Sequence, residues 1–127
     1  MTSRTPKGEL STRTLTMPGD TNPNGDIFGG WLLSQMDIAG GIYSGKIAKG
    51  RTVTVAIDSM EFHRPVHVGD VICCYVDEIK RGTTSVTLNI EAWTLKNFQN
   101  ERILVTEGVF TYVAINEQRK PTVLPQK

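Results

Sequence analysis

Ile27-Phe28-Gly29-Gly30-Trp31-Leu32-Leu33-Ser34-Gln35-Met36-Asp37-Ile38-Ala39-Gly40-Gly41-Ile42-Tyr43-Ser44-Gly45 contains one charged side chain, Asp37. The stretch is apolar on nearly every helical face, so as a helix it should be buried rather than laid on a surface. A lone carboxylate there is costly unless it is hydrogen-bonded or has a chemical task. Its helical neighbours Leu33, Ser34, Gly40 and Gly41 carry no neutralising charge. The two glycines one turn on leave room beside the acid. Asp37 is therefore either a satisfied core acid or a catalytic carboxylate facing a small cleft.

Outward from this helix the pattern is consistent. Residues 1–8 are polar and expected to be flexible. Glu9 to Met17 alternates weakly and is Thr-rich, which predicts a strand. Pro18 to Asp26 is a loop rich in Pro, Gly, Asn and Asp. The helix is predicted over about Phe28 to Lys49, with Gly50 as its left-handed cap and Lys46 and Lys49 in its last turn. Strands are predicted over Thr52–Phe62, Val71–Ile79, Thr83–Leu95 and Arg102–Ile115, with polar turns at Arg81-Gly82 and Lys96–Glu101. Val86, Leu88, Ile90 and Ala92 share one strand face. In the last strand the odd positions Ile103, Val105, Val109, Val113 and Ile115 form the apolar row.

One strand, one long helix and four strands on short connections give an α+β domain. A single helix cannot cover two sheet faces. The economical packing is a curved antiparallel β-sheet wrapped around one long central helix, the hotdog fold. Its 127 residues suffice for one such domain (1–127). Open sheet edges then favour self-association. The net charge of +1 offers no basic patch for nucleic acid. No apolar run suits a signal peptide or a membrane span. Adjacent Cys73 and Cys74 point to opposite faces of a strand, so they read as unpaired thiols in a reducing, cytoplasmic setting.

The chemistry gathers before and inside the helix. The loop Asn22-Pro23-Asn24-Gly25-Asp26 opens into a helix N-terminus, where free N–H groups and the positive dipole end favour anions. Gly29 and Gly30 allow a substrate carbonyl to approach those amides, the make-up of an oxyanion hole. Gly29 and Asp37 are about 12 Å apart at roughly 1.5 Å per residue. One protomer therefore cannot easily apply both to one carbonyl. A site using both pairs the helix start of one protomer with the Asp of another. Lys80, Arg81, Gly82, Thr83 and Ser85 form a basic, hydroxyl-bearing turn suited to phosphates, and Arg64 sits just before a strand at a sheet edge. Trp31, Tyr43 and Trp93 read as core or interface residues. His63 and His67 flank Pro65, which disfavours a helical metal pair, and no cluster has ligand spacing, so no metal is expected. Serine-hydrolase, dinucleotide and P-loop signatures are absent.

The run Asn24-Gly25-Asp26-Ile27-Phe28-Gly29-Gly30-Trp31-Leu32, followed by Gln35-Met36-Asp37, resembles the YciA-like acyl-CoA thioesterases of the hotdog superfamily. Phe62-His63-Arg64-Pro65-Val66-His67-Val68-Gly69-Asp70 and Arg81-Gly82-Thr83-Thr84-Ser85 match the same family. The resemblance implies hydrolysis of fatty acyl-CoA to free acid and CoA by dimers, commonly assembled as hexamers (trimers of dimers). It implies Asp37 as the catalytic carboxylate, Asn24 as its partner from the facing subunit, and Gly29 or Gly30 as oxyanion donor. Arg64 and the 80–85 turn would anchor CoA. No cofactor is implied, coenzyme A being part of substrate and product. Two alternatives stand beside it: a hotdog acyl-thioester dehydratase, which would need a His beside the acid, and a non-catalytic acyl-CoA-binding module, which would not need Asp37.

Overall fold

The structure, a computed structural model, describes residues 4–95 and 101–125. In chain order it contains β1 (Glu9–Leu15), α1 (Gly29–Ala48), β2 (Thr52–Phe62), β3 (Val71–Arg81), β4 (Ser85–Leu95) and β5 (Arg102–Ala114), with a short 3₁₀ turn at Pro18–Asp20. The strands form one antiparallel sheet in the order β1-β3-β4-β5-β2, and α1 touches all five strands. The predicted hotdog arrangement is observed. The predicted turn at 96–101 lies almost wholly outside the described residues.

The core fills the space between α1 and the sheet. Leu32, Met36 and Ala39 of the helix meet Val86, Leu88 and Ile90 of β4 and Phe110 and Tyr112 of β5, all fully or nearly fully buried. Val86, Leu88, Ile90 and Ala92 share this face as the alternation predicts. Cys74 lies in this core, whereas Cys73 joins Tyr75 and Trp93 in a smaller cluster on the outer face.

Several expectations are corrected. The buried row of β5 is not its odd set: beyond Val105 it passes to Thr106, Gly108, Phe110, Tyr112 and Ala114. The β4–β5 register shifts between Ala92 and Trp93, opposite Val105. One extra residue there inverts which side chains face inward. Strands β2 and β3 are not neighbours, because β2 pairs with β5 and β3 with β1 and β4. The 63–70 connection therefore crosses the end of the sheet. The left-handed residue ending α1 is Lys49 (φ 54°, ψ 39°), not Gly50. Its N–H donates to the Gly45 carbonyl, closing the last turn. Ahead of β1, Arg4 and Lys7 lie against the outer face. Arg4 reaches buried Glu91 at 2.8 Å and Glu107 at 3.1 Å, and the Lys7 N–H donates to Glu91 at 3.1 Å. Trp93 Nε1–H completes the Glu91 carboxylate at 2.9 Å. A buried acid with three donors is a satisfied one.

The helix is also not buried all round. Ile38 and Ile42 remain 50% and 44% exposed, and Val53 and Val55 on edge strand β2 remain 41% and 55% exposed. One helix under one sheet leaves a helix face open, and here that face and the adjoining edge are both apolar. No helix among the described residues is long and apolar enough to cross a membrane.

Candidate active site

Asp37 sits half-buried in the middle of α1. Its Oδ1 accepts the Thr54 hydroxyl at 2.7 Å and the Tyr112 hydroxyl at 2.8 Å. Thr54 and Tyr112 are register partners on β2 and β5, so both donors come from one spot on the sheet. No cation pairs with Asp37 among the described residues. Burial first, then the adjacent Asp37 carboxylate, pushes the Tyr112 hydroxyl above the ordinary tyrosine range, which keeps it a donor. The two glycines after the acid are not equivalent. A Cβ at Gly40 would lie 2.1 Å from the Tyr112 hydroxyl oxygen, so that space is filled. A Cβ at Gly41 would meet nothing within 4 Å. Only Gly41 fulfils the expected opening.

Thr54 and Tyr112 are the residues that sequence reasoning misses. Thr54 is one of several threonines in a β-rich stretch. Tyr112 falls on the even parity of β5 that the bulge turns inward. Nothing local to either position points to a helix residue 17 or 75 positions away.

The loop before the helix is held by Asn22. Its Oδ1 accepts the N–H groups of Asn24 (2.9 Å) and Asp26 (3.1 Å), and Gly25 adopts φ 86° in the turn between them. Ile27 N–H donates to the Val66 carbonyl at 2.8 Å, tying the loop to the 63–70 connection. Asn24 itself stands exposed at the loop tip, its side chain without a hydrogen bond among the described residues. The first helical bonds are those of Trp31 and Leu32 to the Phe28 carbonyl. The N–H groups of Gly29 and Gly30 precede them and have no intrahelical acceptor.

Gly29 borders a cleft of about 330 Å³ with Asn22, Asp26, Phe62, His63 and Arg64. Phe62 stands 3.4 Å from where a Gly29 Cβ would lie, so glycine keeps this wall low. Arg64 follows the edge strand β2 rather than preceding a strand, lines this cleft and an adjoining one, and has no ion-pair partner among the described residues. His63 also lines the cleft, and its Nε2 is 2.8 Å from Glu107. His67 Nδ1 is 3.2 Å from Asp26.

The 80–85 turn lies elsewhere. Ser85 is registered with Val113, and Thr52 with Ala114, so this turn sits beside the start of β2. Phe62 and Arg64 lie at its far end, about 33 Å away at roughly 3.3 Å per residue. Arg81 is not a free cation: it makes paired 2.9 Å contacts to Glu78 and donates to the Pro125 carbonyl at 3.2 Å. Gly82 N–H donates to the Ser85 carbonyl, and the Thr83 carbonyl accepts from Leu124. Lys80 alone of the turn's cations stands exposed and without an ion pair among the described residues. One protomer thus unites Gly29 and Arg64, holds Asp37 apart in mid-helix, and keeps Lys80 to Ser85 at the opposite end of the sheet. Among the described residues the one grouping with metal-ligand spacing is Glu61, His63 and Glu107. Arg4 already occupies Glu107, a poor setting for a second cation.

Residues 24–97 match the thioesterase superfamily. The acyl-CoA thioester hydrolase YciA of Salmonella typhimurium is 56% identical over 124 residues, covering 95% of this chain and 93% of that protein. The crystal structure of a hexameric thioesterase from Yersinia pestis has a TM-score of 0.93 at 57% identity, covering 97% of this chain and all (100%) of that one. A hexameric hotdog-fold thioesterase of Campylobacter jejuni gives 0.87 at 36% identity, covering 93% and 91%.

Proposed function

This chain belongs to the thioesterase superfamily, among the YciA-type acyl-CoA thioester hydrolases, and from that membership we propose a homo-oligomeric enzyme whose active site is shared between two protomers. It hydrolyses acyl-CoA to a carboxylic acid and CoA. The observation that carries the catalytic reading is the state of Asp37. Two hydroxyls orient its carboxylate and no cation among the described residues neutralises it. An acid kept only for packing would have a charge partner or full burial with amide donors. Asp37 has neither.

Asp37 of one protomer acts on the thioester as general base to water, or as the nucleophile itself. In the first route the water oxygen bonds to the carbonyl carbon as its proton passes to Asp37. The C–S bond then breaks and the proton returns to the departing thiolate. The oxyanion is met by the Gly29 or Gly30 N–H at the helix start of the facing protomer, and Asn24 from that loop orients the water or the carbonyl. The exposed Ile38, Ile42, Val53 and Val55 supply an apolar face on which two protomers meet about a two-fold axis, bringing each helix start to the partner's Asp37. Arg64 beside the cleft binds a CoA phosphate. Lys80 and the hydroxyls of the 80–85 turn reach CoA only from another protomer. Trimers of such dimers are the expected assembly, in keeping with the hexameric state of the Yersinia pestis and Campylobacter jejuni thioesterases, and the cytoplasm is the expected compartment.

Free-thiol release from a panel of acyl-CoAs tests this reading. The native protein is expected to release CoA stoichiometrically with acid, and Asp37→Asn to lose turnover while keeping fold and assembly. Native-level hydrolysis by Asp37→Asn removes Asp37 from the mechanism. Tight acyl-CoA binding without hydrolysis by either protein makes the chain a binding module.

A further inference from the structure

We propose that Tyr112 is a positioning residue of this hydrolytic site: it pins Oδ1 of Asp37 and leaves Oδ2 as the oxygen that meets the water or the thioester. The inference rests on the reading of Asp37 as the catalytic carboxylate.

Both side-chain donors to Asp37 converge on Oδ1, and no donor among the described residues reaches Oδ2. Rotation of the carboxylate about its last torsion would exchange the two oxygens. The Thr54 and Tyr112 hydroxyls oppose that rotation together, because both bonds are lost unless Oδ2 takes over at the same place. Tyr112 is the more rigid of the two. It is buried, its ring lies parallel to that of Phe110 with centroids 6.4 Å apart, and its hydroxyl also stands 3.1 Å from the Asp37 carbonyl oxygen. The tyrosine thus fixes the carboxylate against its own backbone. Thr54, on the exposed edge strand, has less to hold it.

The local sequence is built around this contact. A Cβ at position 40 would lie 2.1 Å from the Tyr112 hydroxyl oxygen and 2.7 Å from Ile90 Cδ1. Gly40, three residues after the acid, is the vacancy through which a strand hydroxyl reaches a helix carboxylate. With Oδ1 saturated by neutral donors, a proton arriving at the carboxylate goes to Oδ2. A reacting group displaced by even 1 Å can lose on the order of 100-fold in rate, so this orientation bears directly on turnover.

The test is a cycle of Tyr112→Phe, Asp37→Asn and the double variant, followed by kcat and KM with one short acyl-CoA and by thermal unfolding. Tyr112→Phe is expected to lower kcat by about 10- to 100-fold with KM within about twofold. In the Asp37→Asn background the same change is expected to cause no further fall, since Tyr112 acts only through Asp37. A structural role would give the same fractional loss in both backgrounds, and that result overturns the proposal. So does a Tyr112→Phe enzyme with native kcat. Native turnover by Asp37→Asn alone would instead sink the underlying reading, which keeps the two failures distinct. Should Tyr112→Phe not fold, 3-fluorotyrosine at position 112 retains the ring and alters the strength of the donor. A change in kcat with unmoved KM then supports the proposal, and identical kinetics overturns it.

Discussion

Gly40→Ala tests the link between helix packing and the active carboxylate. Alanine is the better helix former by about 1 kcal/mol, so propensity alone predicts a more stable protein. The structure predicts the reverse. The new methyl group would overlap the Tyr112 hydroxyl at 2.1 Å and Ile90 Cδ1 at 2.7 Å. Overpacking of this kind costs about 1–3 kcal/mol. Forcing the tyrosine away also breaks its hydrogen bond to a carboxylate, worth about 1.5–3 kcal/mol. After the gain in propensity, the net loss is about 1.5–5 kcal/mol. Denaturant unfolding at fixed protein concentration reads it directly, because assembly makes stability concentration-dependent. Gly45→Ala is the control: its Cβ would make only a 3.4 Å contact with the Gly50 carbonyl, so a gain of about 0.5–1 kcal/mol is expected. In a Tyr112→Phe background the cost of Gly40→Ala should shrink, because the hydroxyl it strikes is gone. Gly40→Ala at or above native stability, with native turnover, would refute the packing of Tyr112 against Asp37.

Other residues give further expected outcomes. Lys49→Gly should stabilise the protein by about 1 kcal/mol, since Lys49 holds φ 54° where glycine meets no Cβ penalty; an unchanged unfolding midpoint would contradict the assigned cap. Arg64→Ala should raise KM for acyl-CoA with little change in kcat, and the deficit should shrink as salt screens the phosphate contact; the same substitution at Arg81 should instead lower stability by removing the Arg81–Glu78 ion pair and the bond to the Pro125 carbonyl. Glu107 is held below the ordinary carboxylate range, chiefly by the Arg4 hydrogen bond and then by His63. Its contribution to stability is therefore present above about pH 4.5 and lost as pH falls through its lower folded value, so Glu107→Gln should flatten the acid limb of an unfolding-midpoint profile. Burial pushes the Cys74 thiol up to about 11, so alkylation at pH 8 should follow unfolding rather than precede it.

What the sequence makes legible follows from how local each signal is. The helix, β2 and most strand ends are visible because periodicity and turn residues are written within a few positions. The parity of β5 is not, because one bulge residue opposite Ala92-Trp93 turns Phe110 and Tyr112 inward and leaves no local mark. Asp37 is legible as the lone charge in an apolar helix, and its two partners are not, since they belong to strands that reach it only through the fold. The phosphate reading of the 80–85 turn rests on composition together with the family resemblance. Cations and hydroxyls are there, but the Arg81 guanidinium is taken up by Glu78. The sequence predicts a buried helix, whereas Ile38 and Ile42 stand exposed in the single chain, on the face where the proposed dimer meets.

The central claim is a site divided between protomers, and mixed oligomers test it most directly. Asn24→Ala and Asp37→Asn proteins, each with little activity alone, are co-assembled and the heterodimeric units isolated. A shared site predicts that one of the two sites per heterodimer is whole, with turnover restored to about half the native value. Verified heterodimers no more active than their parents would place Asn24 and Asp37 in the same protomer's site and contradict the account.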